Sequence, residues 1–121
     1  MIVNDHPIMR VGLRLAVQRE PDMKVVCEAG DAVAAAQEFA RCRPDVVLID
    51  LQLPHGAGLR VIEAIRALAP ASPIVALTTF PGEIDVPEGS AMVCIPKASA
   101  GHAIMEAVRD ADRTFGHNSR H

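Results

Sequence analysis

Asp50 closes the apolar run Val46-Val47-Leu48-Ile49 and is followed at once by Leu51-Gln52-Leu53-Pro54-His55-Gly56-Ala57-Gly58. A carboxylate at the mouth of a buried strand, directly before a Pro/Gly loop, is placed for chemistry more than for packing. Three other polar residues hold comparable positions: Asp5 after Met1-Ile2-Val3-Asn4, Thr78 after Ile74-Val75-Ala76-Leu77, and Lys97 after Met92-Val93-Cys94-Ile95-Pro96. Taken singly each is ordinary, since a strand-end Asp caps turns, a Thr suits a strand and a Lys is usually a solvated charge. Two carboxylates, a hydroxyl and an ammonium would form one site if these strands were parallel neighbours, because ligand sites in open α/β sheets lie outside the carboxyl edges of the strands.

The elements that would position them are legible as alternation. Five apolar runs, at Ile2-Val3, Val25-Val26-Cys27, Val46 to Leu51, Ile74 to Thr78 and Ala91 to Ile95, are separated by helical patterns. Such alternation predicts βαβ units and a parallel sheet. Pro7 fits the first turn of a helix whose apolar face is expected to use Ile8, Leu15 and Val17, ending at Glu20-Pro21-Asp22. Asp31 caps an Ala-rich second helix through Arg41, and Leu59, Ile62 and Ile65 mark a third before Pro70. A last helix starts near Ser99 with Ala103, Ile104, Ala107, Val108 and Ala111 as its buried stripe. Between Thr79 and Ser90 there are two prolines and two glycines, so a regular multi-turn helix is not expected there. Residues 1–113 read as one domain and 114–121 as a polar tail.

Composition narrows the function. The chain has 121 residues, half of them hydrophobic, enough for a single core. It has no Trp or Tyr to stack bases, and its net charge of −3 comes without a basic stripe, which argues against nucleic-acid binding by this segment. Cys27, Cys42 and Cys94 are well separated and form no C-x-x-C pair; they are expected to be reduced, buried thiols of a cytoplasmic protein. No apolar run approaches the about 18 residues of a membrane span. His55, His102, His117 and His121 lack metal-ligand spacing, so zinc on histidines is not supported. His6, beside Pro7, reads as a loop and capping residue.

Ile2-Val3-Asn4-Asp5-His6-Pro7, Asp50 within Val46-Val47-Leu48-Ile49-Asp50-Leu51-Gln52-Leu53-Pro54, Leu77-Thr78 and Lys97, in that order, resemble the receiver domain of bacterial two-component response regulators. Arg10-Val11-Gly12-Leu13, Arg43-Pro44-Asp45-Val46-Val47 and Lys97-Ala98-Ser99 are most similar to receivers of the NarL/FixJ type. The resemblance implies a doubly wound five-stranded parallel sheet, (βα)5 and flavodoxin-like with order 2-1-3-4-5, here with a shortened or irregular fourth helix. It implies that Asp50 is the phosphoryl acceptor and, with Asp5, a ligand of Mg²⁺, Gln52 a metal ligand through its backbone carbonyl, Thr78 the hydroxyl that meets the phosphoryl group and Lys97 its counter-charge. A sensor histidine kinase is the implied donor and a homodimer an implied partner. DNA would be reached only through an output domain absent from this chain, with no membrane partner. A carboxylate can serve as a covalent nucleophile if the charge on the incoming phosphoryl group is neutralised, and a cation with one or two carboxylate ligands does that.

Three departures from the family pattern carry expectations of their own. Asn4 stands where the family has a second acidic residue, so it would hold Mg²⁺ weakly or through water. Cys94 replaces the usual switch aromatic, and the crossover from Thr78 to Lys97 is short. These motivate a second reading, a phosphorylation-independent docking or dimerisation module. A flavodoxin-like flavin protein is disfavoured because Asn4-Asp5-His6-Pro7 is not a Ser/Thr/Gly phosphate loop.

Overall fold

The computed structural model describes residues 1–53, 56–87 and 89–119, with the side chains of 117–119 excepted. The Pro54-His55 step of the loop after Asp50, Glu88 of the fourth crossover, and the His117 and His121 side chains lie outside the described residues. Strands β1 (Ile2–Val3), β2 (Glu28–Ala29), β3 (Val47–Asp50), β4 (Ile74–Thr78) and β5 (Met92–Pro96) alternate with helices α1 (Pro7–Gln18), α2 (Ala32–Cys42), α3 (Ala57–Leu68) and α4 (Gly101–Ser119). All pairings are parallel, in the order β2-β1-β3-β4-β5, as the receiver resemblance implies.

Strand periodicity splits the core into two layers, because successive side chains point to opposite faces of the sheet. Val3, Val47, Ile49, Ile74 and Ala76 pack with Ala35, Phe39, Val61 and Ile65 of α2 and α3. Ile2, Leu48, Val75 and Leu77 pack with Leu13 and Val17 of α1 and Ile104 and Met105 of α4. Both faces of the three central strands are therefore covered, which explains why their sequences are continuous apolar runs.

Several elements differ from the sequence expectation. The second strand is Glu28–Ala29, not Val25–Cys27. It lies at the sheet edge, where Glu28 is tolerated because Arg14 and Arg10 reach its carboxylate at 2.9 and 3.4 Å. Ile8 is 88% exposed and Leu15 half exposed, while Leu13 and Val17 face the core. Leu59 is exposed and the buried stripe of α3 runs through Ala57, Gly58, Val61 and Ile65. On α4, Ala103 is exposed and Met105 takes the core position. That helix continues past Thr114 to Ser119, with Phe115 packed against the α1/α4 layer. Cys27 is buried, but Cys42 and Cys94 are only partly so.

The β4–β5 crossover behaves as its prolines and glycines require. Among the described residues it holds a single 3₁₀ turn, Pro81–Glu83. Arg66 of α3 fastens its far end, donating to the carbonyls of Ser72 (2.6 Å) and Ser90. Gly89 and then Ala91 adopt left-handed backbone (φ 78° and 56°), and the Ala91 carbonyl accepts from Ile74 N–H at 2.9 Å to start the β4–β5 ladder.

The turn into α3 depends on a close approach. A Cβ on Gly58 would sit 3.0 Å from the Leu51 Cα and 3.3 Å from the Asp50 carbonyl oxygen, both backbone atoms that cannot rotate away. Gly58→Ala is expected to lower stability by about 1–3 kcal/mol, the range for overpacking a dense site. Urea denaturation followed by circular dichroism measures it.

Candidate functional site at the carboxyl edge of the sheet

β1 and β3 are adjacent, with Val3 opposite Ile49, and β3 and β4 are adjacent, with Asp50 opposite Leu77. This register puts the residues that follow β1, end β3 and β4, and follow β5 at one edge. Asn4, Asp50 and Thr78 are all buried there, Asp50 to 1% exposure.

Each oxygen of the Asp50 carboxylate has a partner. Oδ2 meets the Lys97 ammonium at 2.8 Å and accepts from Asn4 Nδ2 at 3.1 Å. Oδ1 accepts from the Gln52 backbone N–H at 2.8 Å. Lys97 is 28% exposed, so its ammonium bridges solvent and the buried acid. A buried carboxylate without such partners would be strongly disfavoured in its charged form.

Asn4 is itself oriented. Its Oδ1 accepts from His6 N–H at 2.7 Å, which turns the amide N–H₂ toward Asp50. Its carbonyl accepts from Arg10 at 3.1 Å. The Asn4 side chain thus supports Asp50 directly, and its oxygen faces the α1 N-terminus. Asp5 points elsewhere: its carboxylate is partly exposed and meets His6 Nδ1 at 2.8 Å. The structure therefore brings Asn4, Asp50, Gln52 and Lys97 into contact, with Asp5 adjacent and paired to His6.

Thr78 is joined to the same edge through the backbone. Lys97 N–H donates to the Thr78 carbonyl at 2.8 Å, and Phe80 N–H donates to Thr78 Oγ1 at 3.3 Å. Gln52 adds a tie that its expected carbonyl role did not anticipate: its Oε1 accepts from Thr79 N–H at 2.6 Å. Gln52 thereby touches Asp50 with its backbone and the start of the β4–β5 crossover with its side chain. The roles of Arg10 and Arg66 carry no sequence signal, because their acceptors are backbone carbonyls, which any residue supplies.

The donor set is hard. Two carboxylates and a backbone carbonyl suit Mg²⁺, which takes oxygen ligands and keeps several waters. Asp5 and Asp50 are oxygen donors of that kind, the first partly exposed and paired with His6, the second buried.

The family model of the response regulator receiver domain matches residues 1–109. The chain belongs to the response regulator receiver family. It is 35% identical over 112 residues to the nitrate/nitrite response regulator protein NarP of Escherichia coli, covering 90% of this chain and 52% of the relative. It is 33% identical over 115 residues to the transcriptional regulatory protein YxjL of Bacillus subtilis, covering 93% and 53%. The chain spans about half the length of these curated relatives. Among solved structures, the signal receiver domain of the response regulator NarL from Mycobacterium tuberculosis superposes with a TM-score of 0.75 at 28% identity, covering 93% of each chain. A LuxR-family response regulator from Aurantimonas gives 0.75 at 30% identity, covering 90% of this chain and 80% of that one. The relatives are of the NarL/FixJ type, as the sequence resemblance implied. No helix among the described residues is long and apolar enough to cross a membrane.

Asn4 tests the electrostatics of the site. Asn4→Asp replaces a hydrogen-bond donor to Asp50 with a like charge, so the metal-free receiver is expected to melt at lower temperature. Mg²⁺ should restore more stability to the variant than to the parent, since ligand binding to the folded state alone is stabilising. Thermal melts with and without Mg²⁺ read both effects, and equal Mg²⁺ responses would place Asn4 outside the cation's influence.

Proposed function

We propose that this receiver accepts a phosphoryl group on Asp50 from the phosphohistidine of a sensor histidine kinase, in the cytoplasm, and passes the change to a protein partner or an attached output domain. The observation that carries the reading is the Asp50 carboxylate itself, buried and in contact with the Lys97 ammonium and two N–H donors.

In the transfer, an Asp50 oxygen forms the new O–P bond as the N–P bond of the donor breaks, and the leaving imidazole takes its proton from solvent. Asp5, Asp50 and the Gln52 carbonyl would hold Mg²⁺, which when bound supplies positive charge to the phosphoryl oxygens. Lys97 changes partner, its ammonium leaving the esterified carboxylate for a phosphoryl oxygen. The Asn4 amide N–H₂ stays on the same side and donates to whichever oxygen replaces Oδ2. Little covalent work falls to the protein; positioning and charge neutralisation do the rest.

The response follows from contacts already present. If the Thr78 hydroxyl turns toward the phosphoryl group, it gives up the hydrogen bond from Phe80 N–H. Phe80 is 60% exposed and opens the crossover that Gln52 also grips. Phosphorylation then acts by binding one of two crossover arrangements better than the other, the only way a ligand shifts such an equilibrium. Cys94 cannot provide an aromatic swing, so the readout is assigned to Thr78, Phe80 and the 3₁₀ turn.

Beryllofluoride with Mg²⁺, followed by amide NMR, tests this reading. Shifts are expected at Asp5, Asp50, Thr78 and Lys97, spreading to 79–87, and they should vanish in Asp50→Asn. A folded protein without these shifts would favour the phosphorylation-independent docking module, for which the exposed Ile8, Val11 and Leu15 of α1 offer an apolar surface.

A further inference from the structure

At the opposite edge of the sheet, three side chains distant in sequence converge. Cys27 lies just before β2, and Glu38 and Cys42 are one turn apart on α2. Their ligand atoms, two Sγ and one carboxylate oxygen, all lie within 4.8 Å of one another. Spacing of i, i+4 puts Glu38 and Cys42 on one helical face, and Cys27 closes the triangle from the segment that leads into β2. Phosphoryl chemistry at Asp50 makes no use of this cluster.

Its surroundings favour a cation. Cys42 is the last residue of α2, where the unpaired carbonyls at the helix C-terminus give the region negative potential. In the absence of an ion the thiols rest on carbonyl oxygens, Cys27 Sγ 3.9 Å from Glu38 O and Cys42 Sγ 3.6 Å from Val26 O. Cys42 Sγ also lies 3.8 Å from Glu38 Oε2. Cys42 lines a cleft of about 210 Å³ together with Met1, Val26, Arg43 and Asp45, so this corner of the cluster opens to solvent. Two positive charges compete: the exposed Arg41 guanidinium, 2.5 Å from Glu38 Oε2, and the Met1 ammonium, which acts electrostatically on both Cys27 and Cys42.

We propose that Cys27, Cys42 and Glu38 form a binding site for a thiophilic divalent cation of the zinc type, independent of the Mg²⁺ chemistry at Asp50. Two thiolates and a carboxylate provide three corners of a tetrahedron and leave the fourth to water, and soft sulfur donors select zinc-like ions over Mg²⁺. On binding, each thiol loses one proton to solvent as its S–metal bond forms, and Glu38 enters already ionised. A Lewis acid displaces a thiol proton directly as the sulfur–metal bond forms. The bound ion would tie the end of α2 to the entry of β2, an edge strand of only two residues.

Titration of the reduced full chain with Cd²⁺, watching the ultraviolet thiolate-to-cadmium charge-transfer band, tests the site without interference from histidines. One ion per chain is expected, displaced by Zn²⁺, with Mg²⁺ without effect. Cys42→Ser and Cys27→Ala should abolish the band, while Cys94→Ser and Asp50→Asn should leave it intact. Glu38→Gln should keep the band but weaken binding by at least about tenfold. Glu38 and Cys42 are only partly buried, so these two variants keep the test alive if Cys27→Ala fails to fold. Absence of the band, its survival in Cys42→Ser, or its loss in Cys94→Ser would overturn the proposal. So would a Cys27–Cys42 disulfide that forms in air from a reduced chain unable to bind Cd²⁺.

Discussion

A carboxylate sealed from water must be neutralised or protonated, and the fold around Asp50 is organised by that constraint. Its charge is met by Lys97 from beyond β5, by Asn4 from beyond β1 and by its own loop through Gln52. No two of these come from the same strand end. The parallel order and the register across β1, β3, β4 and β5 are therefore what make the buried charge tolerable, since an ion moved from water into a dry interior loses several kcal/mol of hydration unless good geometry repays it. Lys97 retains contact with solvent, which keeps the arrangement from being fully dry and leaves its ammonium free to change partner.

Asn4 alters the balance at this edge. An acidic residue in its place would put a second negative charge beside Asp50 and make a cation nearly obligatory. The amide instead donates to Asp50, and His6 N–H on its oxygen holds it in that sense. The metal-free state is thus already satisfied internally, with Asp5 held in reserve on His6. An amide here in place of a carboxylate weakens the attraction for any cation and also lowers the self-repulsion at this edge.

Chain order and most strand ends were legible in the sequence because β1, β3, β4 and β5 read as apolar runs that end on, or are followed at once by, a polar residue. Asp50, Thr78 and Lys97 could be placed from that pattern, and the prolines and glycines of 79–90 correctly excluded a regular fourth helix. Helical faces were harder. In α1 and α3 apolar residues occur on more than one side, so Ile8, Leu15 and Leu59 were indistinguishable from Leu13 and Val61 until tertiary packing decided. The second strand was misplaced because Val25-Val26-Cys27 is more apolar than Glu28–Ala29, and only the two arginines of α1 explain a Glu on that edge. Contacts made by long polar side chains to remote backbone groups, such as Arg66 to the Ser90 carbonyl and Gln52 to the Thr79 N–H, leave no periodic trace. The Cys27–Cys42 proximity is likewise a product of folding, invisible as spacing.

β1 consists of two residues, yet it occupies the middle of the sheet, between β2 and β3. Its hydrogen-bonding partners lie far along the chain, and the Asn4 contact to Asp50 spans 46 positions. The earliest segment of the chain is consequently among the last to find its full set of neighbours. Until β3 arrives, Ile2 and Val3 have no second edge to join and stay sticky, and loop closure must be completed before that contact returns any stability. The centre of this sheet is complete only once that non-local pairing is made, and the edge that carries Asp50 is complete only with it.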